Sequence, residues 1–179
     1  MLQVPVTSRD HSLGSADALV TLVEYGDYEC PHCALAHPVT RQLVREFGAR
    51  LRFVFRNFPL VEVHPMAAPA AEAAEFAGDH DRFWQMHDGI YENQDQLAPA
   101  LLFVLADTLG LSTDDLREAL RQQRHLDKVQ ADFLGGVRSG VNGTPCFFIN
   151  RIRHEGGYDF AGLAAAIQDA AAAAGALTP

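Results

Sequence analysis

The sequence of 179 residues predicts an α/β fold in which a helical subdomain is inserted into a sheet-containing domain. Residues 15–62 have the pattern of a strand, a loop with two cysteines, a helix and a second strand. Residues 63–139 are helical in composition, and residues 140–179 return to strands before a last helix. We therefore predict that residues 15–62 and 140–179 form one domain and that residues 63–139 form the inserted helical subdomain.

The first half of the sheet domain has the pattern of a β-α-β unit. Residues 19–25 are apolar and β-branched, as expected of a strand covered on both faces. Apolar residues then recur at helical spacing from Pro31 to Gly48, and Pro38 predicts a bend because it removes a backbone donor. Alternation over residues 50–55 predicts a second strand, parallel to the first. The cysteine loop should therefore lie at the carboxyl edge of the sheet, where α/β sites usually form.

The inserted segment has the pattern of several helices. Residues 67–77 are rich in alanine, residues 83–91 present one apolar face, and residues 101–109 end at a glycine. Ser112 and Asp115 form a capping-box-like start for one further helix. The apolar positions of that last helix are Leu116, Leu120, Val129 and Phe133.

The final segment predicts two strands and a helix. Residues 146–149 are apolar, and residues 151–154 are expected to pair with them after a tight turn at Asn150. An alanine-rich helix follows over residues 161–173. This β-β-α half completes the sheet domain that the first half begins.

Charge and hydropathy exclude two classes of function. The chain carries 14 basic and 23 acidic side chains, a formal net charge of −9, and has no basic cluster that could follow a phosphate backbone, so we expect no nucleic acid partner. Its apolar runs are much shorter than the ~20 residues of a membrane-spanning helix, so no membrane span is expected. Without a signal-like N-terminal stretch, the sequence as written predicts a cytoplasmic location, and a trimmed form would be periplasmic or extracytoplasmic.

The chemistry of the chain is concentrated in the motif Cys30-Pro31-His32-Cys33. Two cysteines three residues apart at the start of a helix can form a small-loop disulfide, and the helix N-terminus favours a thiolate on the first of them. Cys30 is therefore the expected nucleophile, pointing outward, and Cys33 is the resolving thiol one turn further in. His32 can donate to the thiolate or hold positive charge near it, and Pro31 stiffens the loop at no cost in hydrogen bonds.

The alternative interpretations of this cysteine pair are half of a zinc site and two inert buried thiols. A zinc site would need a second pair of ligands, and the remaining histidines and Cys146 show no pair at ligand spacing. A Cys-x-x-Cys motif beside a β-α-β pattern itself indicates redox chemistry. We therefore predict no metal and no cofactor beyond the dithiol.

Two segments resemble the DsbA-type branch of the thioredoxin superfamily. They are residues 23–33, which contain the Cys-Pro-His-Cys motif, and residues 143–150, in which Thr144 and Pro145 precede a strand. The likeness extends from about residue 20 to about residue 173, helical insert included. It implies a thioredoxin-like α/β fold with a helical insertion domain and an activity in thiol-disulfide exchange.

The resemblance also implies roles for three further residues. Pro145 matches the superfamily's cis-proline and should lie against the cysteine loop, with the Thr144 backbone pairing to an extended substrate peptide. Glu24, six residues before Cys30 in an apolar strand, resembles the buried acid that exchanges a proton with the inner cysteine. The alternative for Glu24 is a carboxylate paired with Arg52 or Arg56.

Two departures from the family pattern stand near the motif. Thr144 replaces the valine of DsbA itself, which puts a strongly oxidising potential in doubt. Cys146, directly after the proline, is interpreted as a small buried strand residue, and the alternative is a third redox thiol.

The leading hypothesis is a protein disulfide oxidoreductase. Its substrates are protein thiols and disulfides, and a redox partner protein or glutathione would recycle it. Oxidation, reduction and isomerisation share one mechanism, so the sequence leaves the direction open. The alternatives are a redox-switched peptide-binding module or chaperone on the same fold and, less favoured because the dithiol is intact, a kappa-type glutathione transferase.

Overall fold

The computed structural model describes residues 1–175. Its five strands are β1 (His11–Leu13), β2 (Val20–Gly26), β3 (Leu51–Asn57), β4 (Cys146–Ile149) and β5 (Ile152–Arg153). Its seven α-helices are α1 (Pro31–Phe47), α2 (Ala67–Gly78), α3 (Phe83–Glu92), α4 (Pro99–Thr108), α5 (Thr113–Arg121), α6 (Leu126–Arg138) and α7 (Phe160–Gly175). The fold is mixed α/β of the thioredoxin-like type, as the sequence predicts.

All five strands form one sheet in the order β1-β3-β2-β4-β5. The two central strands, β2 and β3, are parallel, and every other pair is antiparallel. The parallel pairing was the expectation for a β-α-β crossover, and α1 makes that crossover. The cysteine loop therefore follows the carboxyl end of β2, next to the end of β3.

The helices α2 to α6 lie between β3 and β4 in the chain, in the segment expected to be helical. The structure corrects one prediction here: residues 112–138 form two helices, not one. Ser112 is the N-cap of α5, where its side chain accepts a hydrogen bond from the Asp115 amide, and Gln122 is the C-cap. Gln123 has a φ of 53°, which no α-helix can contain, so the chain turns before α6 begins.

The short hairpin between β4 and β5 brings the chain back beside the central strand. Asn150 and Arg151 have φ values of 44° and 74°, the left-handed pair that a two-residue hairpin needs. The Asn150 side chain also accepts a hydrogen bond from the Thr21 amide at 2.8 Å. This bond fixes β4 against β2 and so fixes the segment that precedes β4.

The sheet separates two apolar cores. The dithiol-face core contains Cys30 and Cys33 and is covered by α1, α7 and the inserted helices. The opposite-face core contains Tyr25, Phe58 and Cys146. Helix α6 approaches this second face closely through Gly136, where an added Cβ would lie 2.6 Å from the Phe58 ring. Within residues 1–175, no helix has both the length and the apolar character needed to cross a bilayer.

Candidate active site

The cysteine loop connects β2 directly to the first turn of α1. Cys30 is the N-cap residue with extended backbone angles, and Pro31 occupies the first helical turn, where its missing N–H costs nothing. The amides of Cys33 and Ala34 both donate to the Cys30 carbonyl, at 3.0 and 3.2 Å. Both cysteines of the motif are free thiols, and they lie at the N-terminal end of a 17-residue helix.

Cys30 is more enclosed than the sequence predicts. It is only 5% exposed, where an outward-pointing residue was expected, and Cys33 is fully buried. The cause is a contact with a distant part of the chain, because the segment before β4 lies over the loop and the Cys30 Sγ is 3.4 Å from the Thr144 carbonyl oxygen. The Cys30 sulfur therefore lies directly beside this segment.

The two sulfur atoms have opposite acid-base properties. A hydrogen bond from the Cys33 side chain lowers the pKa of Cys30 to about 5 against the effect of burial, with help from the backbone N–H groups of Cys33 and His32. Burial raises the pKa of Cys33 well above its usual value, and its bond to the Cys30 thiolate and the nearby Glu24 raise it further. Near neutral pH the pair therefore carries one proton, on the inner sulfur.

Glu24 lies on the same sheet face as the two cysteines and is 2% exposed. Burial and then the charge of Cys30 raise the pKa of Glu24 to about 8. The ion pair considered as an alternative does not form, because Arg56 binds Asp10 at 2.7 Å and no ion pair of Glu24 occurs among residues 1–175. A carboxyl group that is protonated near neutral pH thus lies beside the dithiol.

The segment before β4 lies against the cysteine loop through the contact between Thr144 and Cys30. The Thr144–Pro145 peptide bond is cis, and the buried Thr144 hydroxyl has no hydrogen-bond partner among residues 1–175. Cys146 pairs with Tyr25 in the sheet, and its side chain belongs to the opposite-face core. The sheet therefore separates Cys146 from the dithiol, which supports its interpretation as a buried strand residue.

His32 is exposed, as is Pro31, and the His32 side chain has a partner for which the sequence gives no indication. The His32 Nδ1 lies 2.9 Å from the hydroxyl of Tyr158, which precedes α7. A separation of 126 residues leaves no local signal that could have indicated this contact.

Two further polar side chains hold the loop. The buried Asp27 carboxylate accepts hydrogen bonds from the amides of Glu29 and Leu60, both at 2.8 Å, and lies 2.9 Å from the His64 Nδ1. Gln94, between α3 and α4, donates to the carbonyls of Tyr28 and Cys30 at 2.9 and 3.0 Å. Asp27 lies three residues before Cys30, so its position in the sequence could have indicated a role at the cysteine loop. The sequence around Gln94 contains nothing that could have indicated its contact with the loop.

Within residues 1–175, a single group of side chains has the donor spacing of a metal site, and it excludes the cysteines. His37, His87 and Asp88 place their donor atoms within 4.8 Å of one another. Arg41 already pairs with Asp88, and the His87 Nδ1 lies 3.0 Å from the Tyr28 hydroxyl. A cation there would have to compete with a guanidinium group.

The difference in pKa between the thiols predicts selective alkylation. We expect iodoacetamide to modify Cys30 alone at pH 6, with a rate that rises through a midpoint near pH 5, because only this thiol is ionised there. Burial also raises the pKa of Cys146, so that thiol should not react at this pH. Intact-mass measurement of the Cys146→Ser variant provides the control and should give the same profile. A midpoint between pH 8 and 9 would contradict the stabilised thiolate.

Known proteins share both the sequence pattern and the fold. The thioredoxin family profile matches residues 6–169. A Na⁺/H⁺ antiporter named NhaA 1, from Salinispora arenicola, is 46% identical over 170 residues, which are 94% of this chain and 26% of the antiporter. A second one, named NhaA 3, from Salinispora tropica, is 44% identical over 97% of this chain and 26% of its own length. The chain thus spans about a quarter of the length of these curated relatives.

Solved structures superimpose on nearly the whole chain. Oxidised BdbD from Bacillus subtilis has a TM-score of 0.82 and 25% identity, over 90% of this chain and 92% of its own. The α-DsbA1 protein of Wolbachia pipientis has a TM-score of 0.83 and 22% identity, over 97% and 96% of the two chains. The predicted DsbA-like fold is thereby confirmed, and the chain belongs to the thioredoxin family.

Proposed function

We propose that the chain catalyses thiol-disulfide exchange with protein substrates through the Cys30–Cys33 dithiol. The observation that carries this proposal is the unequal ionisation of two adjacent sulfurs, with the pKa of Cys30 lowered to about 5 and that of Cys33 raised. The outer sulfur is then an attacking thiolate near neutral pH, and the inner sulfur stays protonated until it is needed.

The reaction begins when the Cys30 thiolate attacks one sulfur of a substrate disulfide. A mixed disulfide forms, and the other substrate sulfur leaves as a thiolate that takes a proton from solvent. Formation of the mixed disulfide removes the Cys30 charge that helps to raise the pKa of Glu24, and the ionised form of Glu24 then accepts the Cys33 proton. Cys33 attacks the Cys30 sulfur, the bond between Cys30 and the substrate breaks, and the substrate sulfur leaves as a thiolate that takes a proton from solvent. The substrate leaves as a dithiol, its two sulfurs reduced by the two electrons that the Cys30–Cys33 pair gives up. The reverse sequence oxidises a substrate dithiol.

We assign Thr144 and Pro145 to substrate binding. They lie beside Cys30, and the Thr144 carbonyl oxygen is 3.4 Å from the reacting sulfur. An extended peptide on this edge would pair with the backbone and bring its own cysteine to Cys30. A redox partner protein or glutathione would then return the dithiol to its starting state.

A second candidate function follows from the curated relatives, which bear the name of Na⁺/H⁺ antiporters. Because the chain matches about a quarter of each relative, the thiol-exchange unit can form part of a larger protein that contains a transporter. In such a protein the state of the dithiol would control the attached transporter, and exchange with free protein substrates would be secondary.

Three assays on one preparation test the proposal: insulin reduction, oxidative refolding of reduced ribonuclease, and reactivation of scrambled ribonuclease. The control is the same protein alkylated on Cys30 at pH 6. We expect the unmodified protein to accelerate at least one assay and the alkylated protein to accelerate none. Equal behaviour of the two forms in all three would exclude the oxidoreductase. Peptide binding that survives alkylation, with negligible turnover, would favour the redox-switched binding module or chaperone.

A further inference from the structure

The contact between His32 and Tyr158 joins the exposed part of the motif to the far end of the chain. The His32 Nδ1 and the Tyr158 hydroxyl oxygen are 2.9 Å apart, and the two rings meet edge to face at 71° with centroids 6.1 Å apart. Tyr158 is half-buried and packs against the dithiol-face core. The tyrosine ring is therefore the fixed member of the pair, and the histidine is the exposed one.

The loop that carries Tyr158 is itself held in place. The His154 Nε2 lies 3.0 Å from the Gly157 carbonyl oxygen, just before the tyrosine. Just after it, Asp159 caps α7 by accepting a hydrogen bond from the Gly162 amide at 3.0 Å. Hydrogen bonds therefore hold the chain on both sides of Tyr158, and they place its hydroxyl next to the cysteine loop.

This contact decides where the His32 ring points. The His32 group that hydrogen-bonds the Cys30 sulfur is its backbone N–H, while the Nδ1 of its ring is engaged by Tyr158. A histidine ring that donated to the thiolate would stabilise the reduced protein only, since the disulfide has no such charge. Whatever holds the ring elsewhere therefore makes the disulfide a weaker oxidant.

We propose that Tyr158 is a positioning residue that holds the His32 ring away from the Cys30 thiolate and so lowers the oxidising strength of the Cys30–Cys33 pair. The inference rests on the proposed function to the extent that the dithiol cycles between its two states. The reduction potential of the dithiol is thus set in part by a side chain outside the motif, in the segment that precedes α7.

A double-mutant cycle on the reduction potential tests the inference. The wild type, Tyr158→Phe, His32→Ala and the double variant are each equilibrated with glutathione buffers, and the reduced fraction is read by intact mass after alkylation. We expect Tyr158→Phe to shift the thiol-disulfide equilibrium toward the dithiol by 3- to 10-fold, about 14 to 30 mV at 29.6 mV per decade. In the His32→Ala background, the same change should shift it by less than about 1.5-fold.

The matched control is Tyr25→Phe, which removes a hydroxyl that bonds Arg56 instead of the motif. It should leave the potential unchanged. No shift for Tyr158→Phe, a shift toward the disulfide, or an equal shift with and without His32 would each overturn the inference. Glutathione equilibria need no protein substrate, so this result is independent of the insulin and ribonuclease assays that test the proposed function.

Discussion

Replacement of Cys30 by serine is expected to lower the rate of insulin reduction by about 10³-fold or more, to that of the reaction without protein. A serine hydroxyl is not ionised near neutral pH and cannot form a disulfide, so neither the attack nor the mixed intermediate remains. The chain keeps a second and a third thiol, but both are buried and the pKa of each is raised. Neither can take over the role of a thiolate with a pKa of about 5.

The Cys33→Ser variant separates the two roles in the dithiol. Cys30 can still attack a substrate disulfide there, but no inner thiol resolves the product, so stable mixed disulfides should accumulate. Non-reducing gels and mass spectrometry would identify them, with Cys146→Ser as the control that turns over normally. If Cys30→Ser kept more than a tenth of the wild-type rate, or if Cys33→Ser trapped nothing, the assignment of nucleophile and resolving thiol would be wrong.

The elements that carry the dithiol could be predicted because their signals are local. An apolar strand, a cysteine pair and a helix of regular spacing lie within residues 19–47, and the parallel partner strand follows at once. The strand β1 was missed because it has only three residues, His11–Leu13, too few for a period to show. The break between α5 and α6 was missed because Gln123 has no residue-type signal for its positive φ.

Contacts between distant parts of the chain account for the rest of what was missed. The enclosure of Cys30 depends on the Thr144 carbonyl, 114 residues away, and the orientation of His32 depends on Tyr158. Gln94 holds the Cys30 carbonyl from the segment between α3 and α4. Periodicity and spacing report which face of an element is buried, and they do not report which residue of another element meets it. The thiol chemistry could be predicted, but the groups that adjust it could not.

Glu24 provides the second large effect, and it concerns stability as a function of pH. The pKa of Glu24 in the folded protein is about 8, against an ordinary value of 4.5. Between these two pH values the unfolded chain gives up the proton while the folded chain keeps it, so the free energy of unfolding falls as pH rises. At 1.36 kcal/mol per pKa unit, the loss is roughly 4 to 5 kcal/mol by pH 8. The side chain of the Glu24→Gln variant cannot ionise, so its free energy of unfolding does not fall in this way as pH rises.

We therefore expect the stability advantage of Glu24→Gln over the wild type to grow by several kcal/mol between pH 4.5 and 8, as measured by urea unfolding of the dithiol form under reducing conditions. Glu75→Gln provides a control of opposite sign. Glu75 is also buried, but bonds from His11 and the charge of Lys128 outweigh burial and lower its pKa. Replacement of Glu75 by Gln should therefore lower the free energy of unfolding at neutral pH and leave it unchanged in strong acid. A Glu24→Gln advantage that did not change with pH would mean that the Glu24 carboxyl is ionised in the folded protein.

The same substitution should also slow catalysis at one step. Without the carboxylate, the Cys33 proton has no acceptor beside it, and release of substrate from the mixed disulfide should slow by about 10- to 100-fold. The first attack by Cys30 should be almost unchanged, because that thiolate is stabilised mainly by Cys33 and by backbone N–H groups. Rapid-quench separation of the two steps would measure this difference. Equal slowing of both steps would indicate a change in the Cys30 thiolate instead of a proton transfer.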